Sequence, residues 1–65
     1  MLYIDTCCYD DYDKVVAFLL KHNISIKDRS KMEMVVSAEM SRELASQMLK
    51  EVNFNEAVSY GENPL

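Results

Sequence analysis

Two stretches of helical apolar spacing, each between short runs of strand-like alternation, constrain this chain more than any other feature of its sequence. The first stretch contains Tyr12, Val15, Val16 and Leu19, and the second contains Leu44, Ala45, Met48, Leu49 and Val52. Each stretch forms one apolar helix face, which must be buried against another element of a chain of only 65 residues. The sequence therefore predicts a single α+β domain over residues 1–61, followed by a short tail at 62–65.

Runs in which apolar and polar residues alternate predict four strands, over residues 2–8, 24–26, 32–37 and 57–60. The first strand places Leu2, Ile4 and Thr6 on one face and Tyr3, Asp5 and Cys7 on the other. The third strand alternates Met32, Met34 and Val36 with Glu33, Val35 and Ser37. The polar residues 28–31 predict the hairpin loop between the second and third strands.

Polar residues at the edges of the two helical stretches predict where the helices begin and end. Asp10, Asp11 and Asp13 predict the start of the first helix, because a capping carboxylate accepts from free backbone N–H groups and suits the positive end of the helix dipole. Asn23 predicts a left-handed residue at its end. Ser41 predicts the N-cap of the second helix.

The order of the elements, strand–helix–strand twice over, predicts a ferredoxin-like βαββαβ sandwich. Its four-stranded antiparallel sheet has the strand order 4-1-3-2, with two helices on one face and the other face open. The open face is expected to carry Tyr3, Asp5 and Cys7 from the first strand and Glu33, Val35 and Ser37 from the third. The alternative is a different α+β packing, in which the second strand is too short to pair.

No group of residues in the sequence predicts a catalytic, cofactor or metal site, and we expect a protein that is not an enzyme. Cys7 and His22 flank the first helix and are separated by about 16 Å at a rise of about 1.5 Å per residue, whereas proton transfer needs about 3 Å. Cys7 and Cys8 point to opposite faces of a strand, and structural zinc needs about four ligands. The single glycine, Gly61, excludes a glycine-rich phosphate loop.

Several features predict a cytoplasmic location and no contact with a membrane. Residues 1–8 contain no basic segment followed by a long apolar one, so no signal peptide is expected. The longest apolar run, over residues 15–20, is much shorter than the roughly 20 residues that span a bilayer. A disulfide between the adjacent Cys7 and Cys8 would close almost no loop, so two free thiols in a reducing compartment are expected.

The segment Leu2-Tyr3-Ile4 resembles the first-strand motif of RNA-recognition-motif domains, which share the predicted topology. The resemblance implies that Tyr3 stacks on a base at the open face. Residues 31–38 lack the glycine and the aromatic residues of that family's third strand. Moreover, 7 Lys and Arg against 11 Asp and Glu give a net charge of −4, which repels phosphate. RNA binding through the open face is therefore the third hypothesis, and nucleic acid is not an expected partner.

The leading hypothesis is a small acidic regulator that binds another protein, as an inhibitor or adaptor of the kind common in bacteria, phages and plasmids. Tyr3 and Val35 are exposed on the predicted open face, Phe18 lies off the centre of its helix stripe, and the aspartates near the helix start can imitate phosphate. The expected partner-binding residues are Tyr3, Asp5, Glu33, Val35, Phe18, Asp10, Asp11 and Asp13. Self-association is also expected to be possible, and the alternative is a homodimeric domain that binds a small ligand between its subunits.

Overall fold

The computed structural model describes residues 1–62, which form six elements of secondary structure. In chain order they are β1 (Leu2–Asp5), α1 (Tyr9–Lys21), β2 (Ile26–Ser30), β3 (Val35–Ala38), α2 (Arg42–Glu51) and β4 (Ser59–Gly61). The sheet has the order β2-β3-β1-β4, and every neighbouring pair is antiparallel. The predicted ferredoxin-like α+β arrangement and its strand order are confirmed. Residues 63–65 of the predicted tail lie outside the described residues.

One face of the sheet packs against both helices and forms the core. Leu2, Ile4 and Thr6 of the first strand segment are buried, as their alternation predicts. The residues that share one buried cluster are Ile4, Tyr12, Val15, Phe18, Leu19, Val36, Ala38 and Met48. Because this cluster takes side chains from β1, β3, α1 and α2, both helices lie on the same side of the sheet, and no element of the described residues covers the other side.

Two of the predicted helix boundaries are confirmed, and one is wrong. Asn23 follows α1 with a left-handed φ of 56°, and the Ser41 hydroxyl accepts a hydrogen bond from the Leu44 N–H at 3.1 Å. The predicted aspartate cap is wrong, because α1 begins at Tyr9 and its N-cap residue is Cys8, whose side chain makes no capping hydrogen bond. Asp10 and Asp11 lie in the first turn, where their charge still suits the helix dipole.

The β2–β3 hairpin differs from the prediction by several residues. Residues 28–30 belong to β2 rather than to a loop, and the turn covers residues 31–34. Met34 adopts a left-handed φ of 59°, and its carbonyl accepts hydrogen bonds from the Thr6 N–H at 3.0 Å and from the Thr6 hydroxyl at 2.7 Å. This backbone conformation ends the alternation before Val35, so Met32 and Glu33 lie in the turn. The second strand, predicted over residues 24–26, instead covers Ile26–Ser30, and its pairing with β3 is irregular between Ile26 and Asp28.

The other two strands are shorter or shifted at one end. β1 ends at Asp5 instead of residue 8, which leaves Cys7 exposed in the loop before α1. β4 begins at Ser59, two residues after the predicted start. Within residues 1–62, neither helix has the length and apolar character needed to cross a membrane.

Candidate functional site

The side of the sheet opposite the helices, which we call the open face, is built from two rows of paired residues. In the first row, Tyr3 lies between Ser37 of β3 and Gly61 of β4, with Asp28 of β2 beyond Ser37. Directly paired residues of antiparallel strands project to the same side of the sheet. Tyr3 is therefore the only large side chain of its row, and its small neighbours leave it partly exposed.

The second row of the open face runs through Asp5 and Val35. Asp5 pairs with Val35 on one side and with Ser59 on the other, and Val35 pairs with Ser30 of β2. Tyr3 and Val35 are consequently diagonal neighbours across the two central strands, at a typical Cα separation of about 7–8 Å that an aromatic side chain can span. Both side chains are partly exposed, so the centre of the open face is apolar.

A shallow depression of about 190 Å³ lies in the open face, next to the β2–β3 turn. Its lining includes Tyr3, Asp28, Glu33, Val35 and Ser37. Pockets for small molecules usually measure about 300–1,000 Å³. The depression therefore suits one side chain projecting from a macromolecule better than an entire small ligand.

Three carboxylates surround the apolar centre of the open face, and they are Asp5, Asp28 and Glu33. Within residues 1–62, none of the three forms an ion pair with a Lys or Arg side chain. Asp28 is oriented by a 2.8 Å hydrogen bond from the Arg29 N–H to its Oδ1. The open face thus presents Tyr3 and Val35 inside a rim of negative charge.

Asp11 has an unexpected role at the start of α1, where it anchors the loop between α2 and β4. Its side chain is fully buried, and its two oxygens accept hydrogen bonds from the backbone N–H groups of Asn55 and Glu56, both at 2.8 Å. Lys14 supports the same loop by donating to the Asn53 carbonyl at 2.8 Å, and its Nζ lies 3.9 Å from Asp11 Oδ1. We call this arrangement the Asp11 anchor.

The environment of Asp11 favours its charged form. Burial raises the pKa of the carboxyl group, and this is the largest single influence on it. The hydrogen bonds from the Asn55 and Glu56 N–H groups act in the opposite direction, as do a hydrogen bond from the Cys8 side chain and the charge of Lys14. Together they hold the pKa below its ordinary value of 3.8, so Asp11 is a carboxylate at neutral pH.

The other two aspartates of the predicted acidic cluster also have partners within the molecule. Asp10 lies 3.2 Å from Lys14 Nζ, and its carboxylate accepts a hydrogen bond from the Asn55 side chain. Asp13 lies 3.6 Å from Lys31 Nζ. Both remain largely exposed, whereas Asp11 has no exposed surface. Asp11 is therefore inaccessible to a partner and serves the fold, whereas Asp10 and Asp13 stay accessible on the surface.

Phe18, which we expected at an exposed contact surface, is only 6% exposed and belongs to the core cluster. The sequence prediction considered only the helix face that meets the sheet. The side of α1 that carries Phe18 lies beside the end of α2, and Phe18 and Val52 line the same groove. The His22 ring also packs against Phe18, with ring centroids 4.2 Å apart. Phe18 is therefore removed from the set of candidate contact residues.

Alternation in the sequence predicts Tyr3, Asp5, Val35 and Glu33 on one face, and the structure brings all four to the open face or its edge. Asp28, which the sequence predicts in a loop, lies in β2 and on the open face. Asp28 and Ser30 are two residues apart and therefore share a face of β2. The irregularity after Ile26 interrupts the alternation at the start of this strand, so the sequence pattern does not reveal that face. Among residues 1–62, no three metal-ligating side chains come together.

Comparison with models of known protein families gives no match for the chain. No curated protein and no solved structure matches it either. Inference about function therefore depends on the geometry and charge of the open face.

Proposed function

We propose that this protein acts by binding another protein through the open face of its sheet, as an inhibitor or adaptor. The observation that carries the proposal is the position of Tyr3 and Val35 at the centre of a sheet face that no other element of residues 1–62 covers. Tyrosine combines a large apolar body with a polar tip and is enriched among the residues that dominate binding energy at interfaces. An apolar centre within a polar rim is also the usual arrangement of a protein interface.

The remaining features agree with a binding role in the cytoplasm. Cys7 and Cys8 are both free thiols, which fits a reducing compartment. Cys7 lies in the loop before α1 and His22 just beyond its end, so the two are separated by the length of the 13-residue helix. That separation does not support nucleophilic catalysis by a Cys–His pair, and a role without chemistry is the simpler proposal.

No particular observation favours the two other functions that the sequence suggested. A small-ligand site between two subunits requires a homodimer, and dimerisation through the open face would bring its carboxylates against their own copies. RNA binding requires phosphate to approach Asp5, Asp28 and Glu33, which repel it. Protein binding is the function that uses both the apolar centre and the acidic rim of this face.

The proposal is tested by replacing the two central side chains together, Tyr3→Ala with Val35→Ser, and measuring both folding and capture of proteins from the native host. Loss of a true anchor costs about 2 kcal/mol or more of binding, which weakens it about 30-fold. Changes at partly exposed positions alter stability by about 1 kcal/mol or less. We therefore expect a protein retained by the wild type to be lost, while the double variant still unfolds cooperatively, with its melting temperature lowered by no more than about 15 °C.

Leu20→Ser is the matched control, because Leu20 is 61% exposed on α1, away from the open face. This variant is expected to retain the same captured protein. The proposal is contradicted if the double variant melts normally and captures the same proteins as the wild type, or if Leu20→Ser loses them and the double variant does not.

A further inference from the structure

Charge is unevenly distributed between the two sides of this molecule. The open face carries Asp5, Asp28 and Glu33 without an ion-pair partner among residues 1–62. Lys14 and Lys21 belong to α1, and Arg42 and Lys50 belong to α2, on the other side of the sheet.

The three remaining basic residues, which lie on or next to β2, also leave the open face without a counter-charge. Lys31 pairs with Asp13 of α1, and Lys27 pairs with Glu39 just after β3. Arg29 borders the depression, but it pairs with Val36, which is buried against the helices. The side chain of Arg29 therefore belongs to the row on the helical side.

A second copy of the chain is a poor occupant of this face. A stable interface buries about 800 Å² on each partner. The described residues expose 4186 Å² in total, so such an interface would take about a fifth of the surface and most of one sheet face. Two open faces in contact would then bring three carboxylates of each copy close to those of the other, and unpaired like charges at an interface are strongly unfavourable.

We propose that the open face binds a basic segment of another protein, one that carries Arg or Lys side chains around an apolar residue. This inference rests on the proposed function and names the chemistry of the partner. The apolar residue packs on Tyr3 and Val35, and the cationic groups pair with Asp5, Asp28 and Glu33. Because Ser37 and Gly61 beside it are small, the Tyr3 ring is also accessible to a guanidinium group for a cation–π contact.

The test is an NMR titration of the isotope-labelled chain with an acetylated and amidated Arg-Val-Arg-Val-Arg peptide. Its counterpart is the same peptide with Glu in place of Arg. We expect the Arg peptide to shift the amide resonances of Tyr3, Asp5, Val35 and Ser37, and the Glu peptide to shift none of them. Binding should weaken as salt rises from about 0.1 M to about 1 M, because the Debye length falls from about 10 Å to about 3 Å.

Two double variants with the same change of net charge show whether the Arg peptide binds at the open face. Asp28→Asn with Glu33→Gln is expected to weaken binding of the Arg peptide about threefold to tenfold, since each exposed ion pair contributes modestly. Glu43→Gln with Glu51→Gln, on the exposed side of α2, is expected to change it less than about twofold. Equal weakening by the two pairs would contradict the inference, because it would show attraction to net charge rather than to the open face.

Other occupants give distinct results. If sedimentation shows a dimer and dimer formation shifts the amide resonances of the open face, the occupant is a second copy of the chain and the inference is wrong. If single-stranded RNA shifts the same resonances, the occupant is nucleic acid and the inference is also wrong. If Tyr3→Ala with Val35→Ser abolishes protein capture while the Arg peptide leaves the open face unshifted, the proposed function stands and the basic-segment inference fails. If the Arg peptide shifts this face but capture is unaffected by the double variant, the proposed function fails, and with it the role assigned to this partner.

Discussion

Replacement of Asp11 by Asn is expected to lower the melting temperature of this protein by roughly 10–20 °C, because it disrupts charge-assisted hydrogen bonds in a small domain. Both oxygens of Asp11 accept backbone N–H groups, from Asn55 and Glu56. The amide of Asn places an N–H donor against one of those donors and leaves it without an acceptor in a buried position. Thermal unfolding followed by circular dichroism measures the effect.

Asp13→Asn is the matched control, because it removes the same charge from an exposed ion pair two residues away. It is expected to change the melting temperature by less than about 4 °C. Similar losses for the two variants would contradict the anchor, since they would show that the charge of α1 matters and the contacts of Asp11 do not.

The Asp11 anchor also predicts how stability depends on pH. The pKa of Asp11 is lowered in the folded protein, so the folded state binds the proton less tightly than the unfolded state does. Its contribution is therefore fully present well above pH 3.8 and is lost as the pH falls below 3.8 through the native pKa. The stability difference between the wild type and Asp11→Asn should shrink over this acid range. A difference that stays constant between neutral pH and about pH 2 would contradict the lowered pKa.

Replacement of Ile4 by Ala is expected to remove most of the stability of the domain. Ile4 is fully buried against the helices, and substitutions of this kind in a core cost about 2–5 kcal/mol. A domain of this size is held by only about 3–10 kcal/mol in total. The neighbouring Tyr3 points to the open face, so Tyr3→Ala is expected to cost about 1 kcal/mol or less.

This contrast between adjacent residues tests the register on which the whole site depends. Moving β1 by one residue would exchange its two faces and place Tyr3 in the core. Urea unfolding of the two variants measures both losses on one scale. A larger loss for Tyr3→Ala than for Ile4→Ala would show that the faces are reversed and that Tyr3 is unavailable for binding.

The fold could be predicted from the sequence because it depends on patterns among residues that are close together in the chain. The alternation of Leu2, Ile4 and Thr6 determines the buried face of β1, and the apolar spacing of α1 determines which side of the helix meets the sheet. Asn23 and Ser41 act through their own backbone neighbours, so their positions are readable without tertiary information. The order of the strands then follows from the handedness of the two strand–helix–strand units.

The features that the sequence did not reveal depend on contacts between distant segments. Met34 adopts a left-handed backbone although it is neither Gly nor Asn, and its carbonyl binds Thr6, which is 28 residues away. The Asp11 anchor joins residues 44 and 45 positions apart. The aspartates near the start of α1 are as consistent with a helix cap as with an anchor for a distant loop. Only the packed structure shows that Asp11 has the second role.

The candidate site was predictable to the extent that it follows from strand alternation. Tyr3, Asp5 and Val35 reach the open face by their register in the central strands. Asp28 lies in an edge strand with an irregular start, and Phe18 lines a groove with Val52 at the end of α2, a neighbour that the periodicity of α1 alone does not reveal. Alternation alone therefore predicts which face the residues of the central strands occupy, but it does not predict the edge strand or the surroundings of Phe18.

The most direct test of this account is the footprint of a captured partner on the isotope-labelled chain, measured by NMR at increasing partner concentration. The account predicts that the perturbed amides cluster in β1 and β3, around Tyr3, Val35 and Ser37, and that resonances on the exposed side of α1, near Tyr9 and Leu20, stay in place. A footprint confined to α1, with the open face unchanged, would contradict it.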